Sequence, residues 1–407
     1  MSSRRAVVIG AGISGILVAR ELLLAGWDVT VVEAKHVGNG SSSRTAAGIR
    51  QQFTTRASVQ GMRYSVGFYD RFAAETSDGR SPIVHNGYLF LYDTALAWSD
   101  AAARVDWQRS VGLDDVVALE GDALRERFPW VGEDMLGGTW CPSDGFLLPA
   151  VVYMEGARRV RELGGTVLQN APVMGAEFSG DRITSVRTPK GELSADLFVD
   201  CTNAWTKRLA AHLGAVDLPV DPLKRYLWFL DRGGPMTAET LGRMPLVISP
   251  SGVYARPENE DVLLMGWKHH AEAEHQFTDE DQDTVEPGFS HDSGVDSRPF
   301  DAWMQFVEAV PDVGEFAGVR ATTAGFYATT PDHNPYLGFD PQRSNLVRLV
   351  GFSGHGAMFG PFTAQVGLSL AEAGRDLKTV RLPDGTEVDI TEFAIDRQPG
   401  TPEGMVL

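Results

Sequence analysis

Three glycines at fixed spacing interrupt an apolar run near the start of the chain, "RAVVIGAGISGILVARELLLAG", and a second apolar run, "DVTVVEA", follows. The apolar patterning predicts a buried strand, a helix and a second strand, hence a βαβ unit within a parallel sheet. Gly10, Gly12 and Gly15 fall at the strand-to-helix turn as G-x-G-x-x-G. Gly10 suits the tight turn, Gly12 lets backbone approach a pyrophosphate, and Gly15 lets helix pack on strand. The helix then starts at Ile13 and Ser14, where unpaired N–H groups and partial positive charge favour phosphate. Eighteen residues past Gly15, Glu33 ends the second strand, with Ala34 beside it, in place to bind ribose hydroxyls. A purely structural glycine turn is the competing reading. The strand before, the helix after and the acid in place favour a dinucleotide, without separating NAD from FAD.

A second glycine cluster lies far along the chain. "GFSGHGAMFG", residues 351–360, follows the apolar run "NLVRLV" and precedes a long apolar-periodic segment. Such density in ten residues implies a backbone that something approaches closely.

Length and charge narrow the rest. The 407 residues predict two or three domains. The net charge of −18 argues against nucleic acid and anionic membrane as partners. Cys141 and Cys201 are too few for a disulfide framework or a zinc site, which suits a reducing, cytoplasmic location. "MSSRR" and the following apolar run resemble a secretory signal, but Arg20 and Glu21 follow at once without a cleavage pattern. The run is also too short to span a bilayer. Further on, 54–75 and most of 94–128 read as helical, 87–93 as a strand, and 216–267 as mainly antiparallel sheet. The acidic, His-containing stretch 269–298 matches no metal-loop spacing and reads as a solvated excursion.

Further motifs appear in order: "GNGSSSRTAAGIRQQF", "SDGFLLP", "LFVDCTNAW", "YATTPDHNPYLG" and "GFSGHGAMFGP". With the first turn they resemble the D-amino-acid oxidase superfamily of FAD enzymes, on the sarcosine oxidase, dimethylglycine dehydrogenase and proline dehydrogenase β-subunit branch. The resemblance implies an α/β (α+β) fold. A discontinuous Rossmann-like FAD-binding domain (1–82, 148–215 and 318–380) would join a mainly antiparallel substrate domain with flanking helices (83–147 and 216–317). Residues 381–407 would form a tail. It adds Ser42, Ser43, Gly48, Ile49, Arg50, Val173, Thr202, Ala204 and Trp205 to the cofactor contacts, together with Gly354, His355, Gly356, Ala357 and Met358. It implies no metal. The helix starting near 358 would aim its N-terminus at the flavin, where reduction places negative charge.

The chain departs from the family at informative positions. Thr45 and Gly325 stand where relatives carry the His or Cys that tethers flavin, so FAD is expected to be non-covalent. Asn203 stands at a position usually Gly, which suits a left-handed backbone. Arg50 matches an arginine that binds substrate carboxylate, as its fork geometry allows; an arginine paired with an acid at a domain boundary is the alternative. Met358 replaces a second cation for that carboxylate, and Leu264 replaces the lysine credited with activating oxygen. Lys268 is a candidate substitute. His355 is expected at the flavin edge, with proton transfer as the sharper reading. Tyr254 and Tyr327 are expected cavity walls, and Trp228, Trp267 and Phe229 a candidate apolar wall.

The expected chemistry is oxidation of the C–N bond of a primary or secondary amine, amino or imino acid-like, by hydride transfer to flavin N5. Oxygen is the default acceptor. A dehydrogenase subunit handing electrons to a protein or quinone partner, a monooxygenase of a biosynthetic intermediate, and a flavin-bearing binding protein are the rivals. Acid precipitation of purified protein is expected to leave all yellow colour in the supernatant; colour retained on the precipitate would show a covalent tether.

Overall fold

Every residue of "AVVI" is buried because the strand Arg5–Ile9 lies inside a sheet covered on both faces. In the computed structural model, which describes residues 4–268, 284–286, 289–290, 297–398 and 402–405, this sheet has six strands. Their order is Tyr336–Asp340, Arg343–Val350, Leu197–Asp200, Arg5–Ile9, Asp28–Val32 and Thr166–Leu168. All neighbours are parallel except the first pair. Helices Ile13–Leu24, Arg56–Phe72 and Gly356–Ala373 share one apolar core over one face. Most of the acidic stretch 269–298, and the reading made of it, lies outside the described residues.

An eight-stranded sheet forms the second layer system, in the order Val319–Thr329, Asp221–Asp231, Val262–Trp267, Val253–Asn259, Leu246–Ile248, Tyr88–Tyr92, Gly137–Cys141 and Val117–Glu120. It is antiparallel apart from Leu246–Ile248 beside Tyr88–Tyr92. The mixed α/β fold with a mainly antiparallel second sheet is therefore as expected. The window 94–128 is less helical than its propensities suggest: helix Ala95–Ser110 and helix Gly121–Arg127 are separated by the edge strand Val117–Glu120.

Period-two alternation sorts the long strand Asp221–Asp231. Tyr226, Trp228 and Leu230 pack with Trp303 and Phe306 of helix Arg298–Ala309, while Leu227 and Phe229 face the other side. Trp228 Nε1 donates to the Phe289 carbonyl at 2.8 Å and Trp267 Nε1 to the Ser251 carbonyl at 3.0 Å. Neither tryptophan forms the apolar wall expected of it, because both lie on the helix-covered face.

Two buried polar networks join distant segments. Arg348 donates from Nε to Asp200 and from Nη1 to Asp340, both at 2.9 Å, with all three side chains out of solvent. The Asp144 carboxylate accepts from the Gln51 backbone at 2.8 Å, and from the amides of Gln51 at 2.9 Å and Gln52 at 3.2 Å. It thereby fixes the course of the backbone just beyond the short strand Gly48–Ile49. Burial pushes Asp144 up to about 7, against the pull of those donors. No helix of the described residues is long and apolar enough to cross a membrane.

Arg348→Leu strands two buried carboxylates and is expected to cost about 3–5 kcal/mol in denaturant unfolding. A folded-state pKa above the unfolded one removes stability as pH rises through that interval. Relative to Asp144→Asn, the wild type should therefore lose roughly 2–3 kcal/mol between pH 5 and pH 8. An unchanged difference would place the Asp144 carboxyl in the ordinary range.

Candidate active site

The first strand ends at Gly10, whose φ of +103° suits glycine alone. A Cβ there would lie 2.8 Å from the Cys201 carbonyl oxygen, and one on Gly15 would lie 2.0 Å from that of Gly10. Strand and helix can meet only as glycines. The Glu33 carboxylate closes the turn by accepting from the backbone of Ala11 and of Lys35, each at 2.9 Å. No side chain caps helix Ile13–Leu24, and its first N–H is met by Ser42 Oγ at 3.1 Å.

From here an elongated cavity of about 420 Å³ runs between the two sheets. At one end lie Glu33, Ala34, Val173 and Leu209; Gly10, Gly12, Ile13, Ser14, Ser42 and Thr202 come next; Tyr327, Gly354, Gly356 and Ala357 close the other end. Trp205 also lines it. Among the expected cofactor contacts, Gly15, Ser43, Ile49 and Ala204 line neither this cavity nor the smaller one beside it, and Gly48, Arg50, His355 and Met358 line only the smaller one. Gly15 is committed to helix–strand packing, and Ile49 and Ala204 are buried in cores.

The late glycine cluster is the far wall. Asn203 adopts φ +53°, and its side-chain oxygen accepts from the Gly351 and Phe352 backbones at 3.0 and 3.3 Å, tying the two turns together. Ser353 and Gly354 are also left-handed, at +47° and +91°. A Cβ on Gly354 would lie 2.5 Å from the Tyr327 ring, whereas one on Gly356 meets only ordinary contact at 3.5 Å. Helix Gly356–Ala373 starts here without a side-chain cap, so its free N–H groups point toward the cavity end. Gly325 is pressed against Arg44, whose Cβ would lie 2.8 Å from an added Cβ. The cavity thus offers what a flavin dinucleotide requires: two uncapped helix starts, glycine turns that side chains would fill, and an acid at one end.

A smaller cavity of about 40 Å³ adjoins it, sharing Thr45, Tyr327, Gly354 and Ala357, and reaches Arg50, Tyr254, His355 and Met358. Gly48 lines it as well. Arg50 is fully buried. Its Nη1 donates to the Gln52 carbonyl, its Nη2 donates to the Met405 carbonyl and stands 3.2 Å from His355 Nε2, and its guanidinium lies 4.0 Å from the centre of the Phe53 ring. A guanidinium only donates, so His355 Nε2 accepts and its proton sits on Nδ1. Burial, reinforced by Arg50, holds this imidazole well below the usual histidine range and therefore neutral. Its accepting nitrogen is occupied by Arg50, which leaves that atom no free lone pair for proton abstraction.

Burial also raises the Tyr254 hydroxyl, and Tyr327 adds to the rise. Lys268 lines neither cavity; burial and then Arg225 lower it, and its charge reaches His355 and His333. Leu264 is buried in an apolar cluster with Tyr88 and Tyr254. Sequence reasoning missed Tyr88, which its strand alternation points inward, and Met405, for which no local signal exists.

Residues 5–368 match the family model for FAD dependent oxidoreductases (DAO). The chain is 27% identical over 388 residues to a glycine oxidase of Pseudomonas aeruginosa, covering 89% of this chain and 93% of that one. It is 24% identical over 371 residues to human mitochondrial sarcosine dehydrogenase, covering 88% of this chain but 38% of that longer protein. The structure of L-proline dehydrogenase from P. horikoshii superposes with a TM-score of 0.80 at 26% identity, over 92% of this chain and 95% of the other. The chain belongs to the DAO family of FAD-dependent oxidoreductases.

Proposed function

We propose that the protein oxidises the C–N bond of a carboxylated primary or secondary amine, with FAD held in the elongated cavity without a covalent link. One observation carries this reading. Arg50 is a buried cation that no carboxylate among the described residues pairs, and it opens onto a cavity continuous with the flavin end. A buried charge is costly unless an anion compensates it. A substrate carboxylate supplies that anion and is oriented by it.

Gly10 to Ser14 and Thr202 would hold the pyrophosphate, Glu33 the ribose, and the Gly354–Met358 turn the flavin end. Bound there, FAD supplies the hydride acceptor. Arg50 positions the carboxylate, and neutral His355 fixes Arg50. Arg50 and Lys268 place positive charge around the chamber, which favours the neutral amine over its ammonium form. The buried rings of Tyr88 and Tyr254 exclude water. The relatives named glycine oxidase, sarcosine dehydrogenase and L-proline dehydrogenase support an amino or imino acid as substrate class.

Oxygen is the default acceptor. A partner protein or quinone is the second reading, favoured by Leu264 and by a Lys268 that reaches neither cavity. Anaerobic mixing with amino, N-methyl amino and imino acids is expected to bleach the flavin. In Arg50→Ala, bleaching by carboxylated amines should fall about 100-fold in kcat/KM terms, while decarboxylated analogues change little. Equal losses for both would remove Arg50 as the anchor. Admitting air afterwards separates the two acceptors: rapid return of colour marks an oxidase, persistent bleaching a dehydrogenase.

A further inference from the structure

The third partner of Arg50 comes from Pro402–Met405, more than three hundred residues away in sequence. This segment is latched in place. The buried Glu403 carboxylate accepts from the Thr54 backbone at 3.1 Å and from the Met405 backbone at 3.0 Å. The Glu403 backbone donates to the Asp332 carbonyl, and that of Gly404 to Thr54 Oγ1, each at 3.1 Å. The result delivers the Met405 carbonyl to Arg50 Nη2 and buries the Met405 side chain among Tyr88, Phe90, Tyr254 and Leu264.

Two counts show that this arrangement and a bound substrate exclude each other. A guanidinium grips a carboxylate bidentately either end-on, through Nη1 and Nη2, or side-on, through Nε and Nη2; both modes need Nη2. The two hydrogens of Nη2 are already committed, one to Met405 and one to His355. The space left beside Arg50, about 40 Å³, has room for roughly three waters. A carboxylate with a side chain attached needs the place that Met405 fills.

We infer that Pro402–Met405 is a strap holding the substrate's own position, and that its occupant reports the substrate's class. That class is an amino or N-alkyl amino acid with an apolar side chain about the size of methionine's. Its carboxylate takes the place of the Met405 carbonyl on Arg50, and its side chain takes the place of the Met405 side chain against Tyr88, Phe90 and Tyr254. The inference rests on the carboxylate reading above and deepens it. Glycine and sarcosine leave the vacated apolar space unfilled and are poor ligands by comparison.

The test uses oxidised holoenzyme and dead-end ligands, so that binding is read apart from chemistry. 4-Methylvalerate and acetate are titrated by their perturbation of the flavin spectrum, against the full chain, a chain stopped after Gln398, and each of these carrying Arg50→Ala. 4-Methylvalerate should bind the shortened chain at least about tenfold more tightly than the full one, since no strap need be displaced. It should exceed acetate by at least about tenfold in the shortened chain, from the apolar area it buries. Both ligands should lose at least about tenfold in affinity with Arg50→Ala in either chain length, because the carboxylate anchor is gone. Hydrogen exchange on the unaltered full chain gives an independent reading: 4-methylvalerate should speed exchange at the Thr54 and Gly404 amides, which the latch protects. Affinities within twofold for the full and shortened chains, acetate binding as well as 4-methylvalerate, or unchanged exchange at those amides would overturn the strap while Arg50 dependence persists. Arg50→Ala binding 4-methylvalerate as tightly as wild type would instead sink the carboxylate reading, and the strap with it.

Discussion

Helices Ile13–Leu24 and Gly356–Ala373 lie against each other over one face of the six-stranded sheet, and their contact organises the site. A Cβ on Gly360 would meet Ile13 Cγ2 at 2.7 Å, so the approach depends on a bare backbone. Neither helix has a side-chain cap at its start. Both starts open onto one cavity; Ser42 Oγ meets the first N–H of helix Ile13–Leu24, and the N–H groups that remain need an outside acceptor. The glycines at 10 and 354, and the left-handed Asn203 that bridges to Gly351 and Phe352, keep the two starts aimed at that common space.

The second constraint is a cation with nowhere to send its charge. Arg50 is surrounded by carbonyls, a neutral imidazole and the faces of Phe53 and Phe90. Burial lowers its pKa, and the opposing influences of Tyr88, Glu403 and Asp144 are weaker. Asp144 lies close by but spends its oxygens on Gln51 and Gln52, so it shapes the segment rather than neutralising the arginine. By contrast, Arg348 has two carboxylates and is a structural tie. Similar burial with opposite pairing separates Arg348, which ties strands together through two carboxylates, from Arg50, which we propose as the substrate anchor.

Much of this was legible in the chain because glycine carries steric information. The spacing of Gly10, Gly12 and Gly15 and the acid at Glu33 announce a strand–turn–helix that admits a dinucleotide. Asn203 in a glycine-like position announces a left-handed backbone, and it has one. Long-range choices were not legible. Alternation shows that Trp228 and Phe229 face opposite ways, but not which face meets the helix and which the cavity. The edge strand Val117–Glu120 sits in a stretch of good helix formers, and tertiary pairing with Gly137–Cys141 overrides them. Gly354 and Gly356 read alike in the sequence, yet Gly354 is pressed by the Tyr327 ring while Gly356 meets only ordinary contact with Phe352 and lines the cavity. Met405 opens the short apolar run Met-Val-Leu after a polar, glycine- and proline-containing stretch, and three residues are too few for a periodicity that could place it beside Arg50.

The Arg348 tie has a consequence for how such a chain is born. Asp200 ends a central strand of the six-stranded sheet, yet its cationic partner is synthesised 148 residues later. Until then the strand Leu197–Asp200 carries a carboxylate that resists burial. The helix Gly356–Ala373, which covers the first βαβ unit, emerges later still. The first βαβ unit therefore has part of its apolar face covered by residues made more than three hundred positions later, a contact of high sequence separation. The cavity wall itself is complete only when Gly10–Ser14 and Phe352–Ala357 have come together.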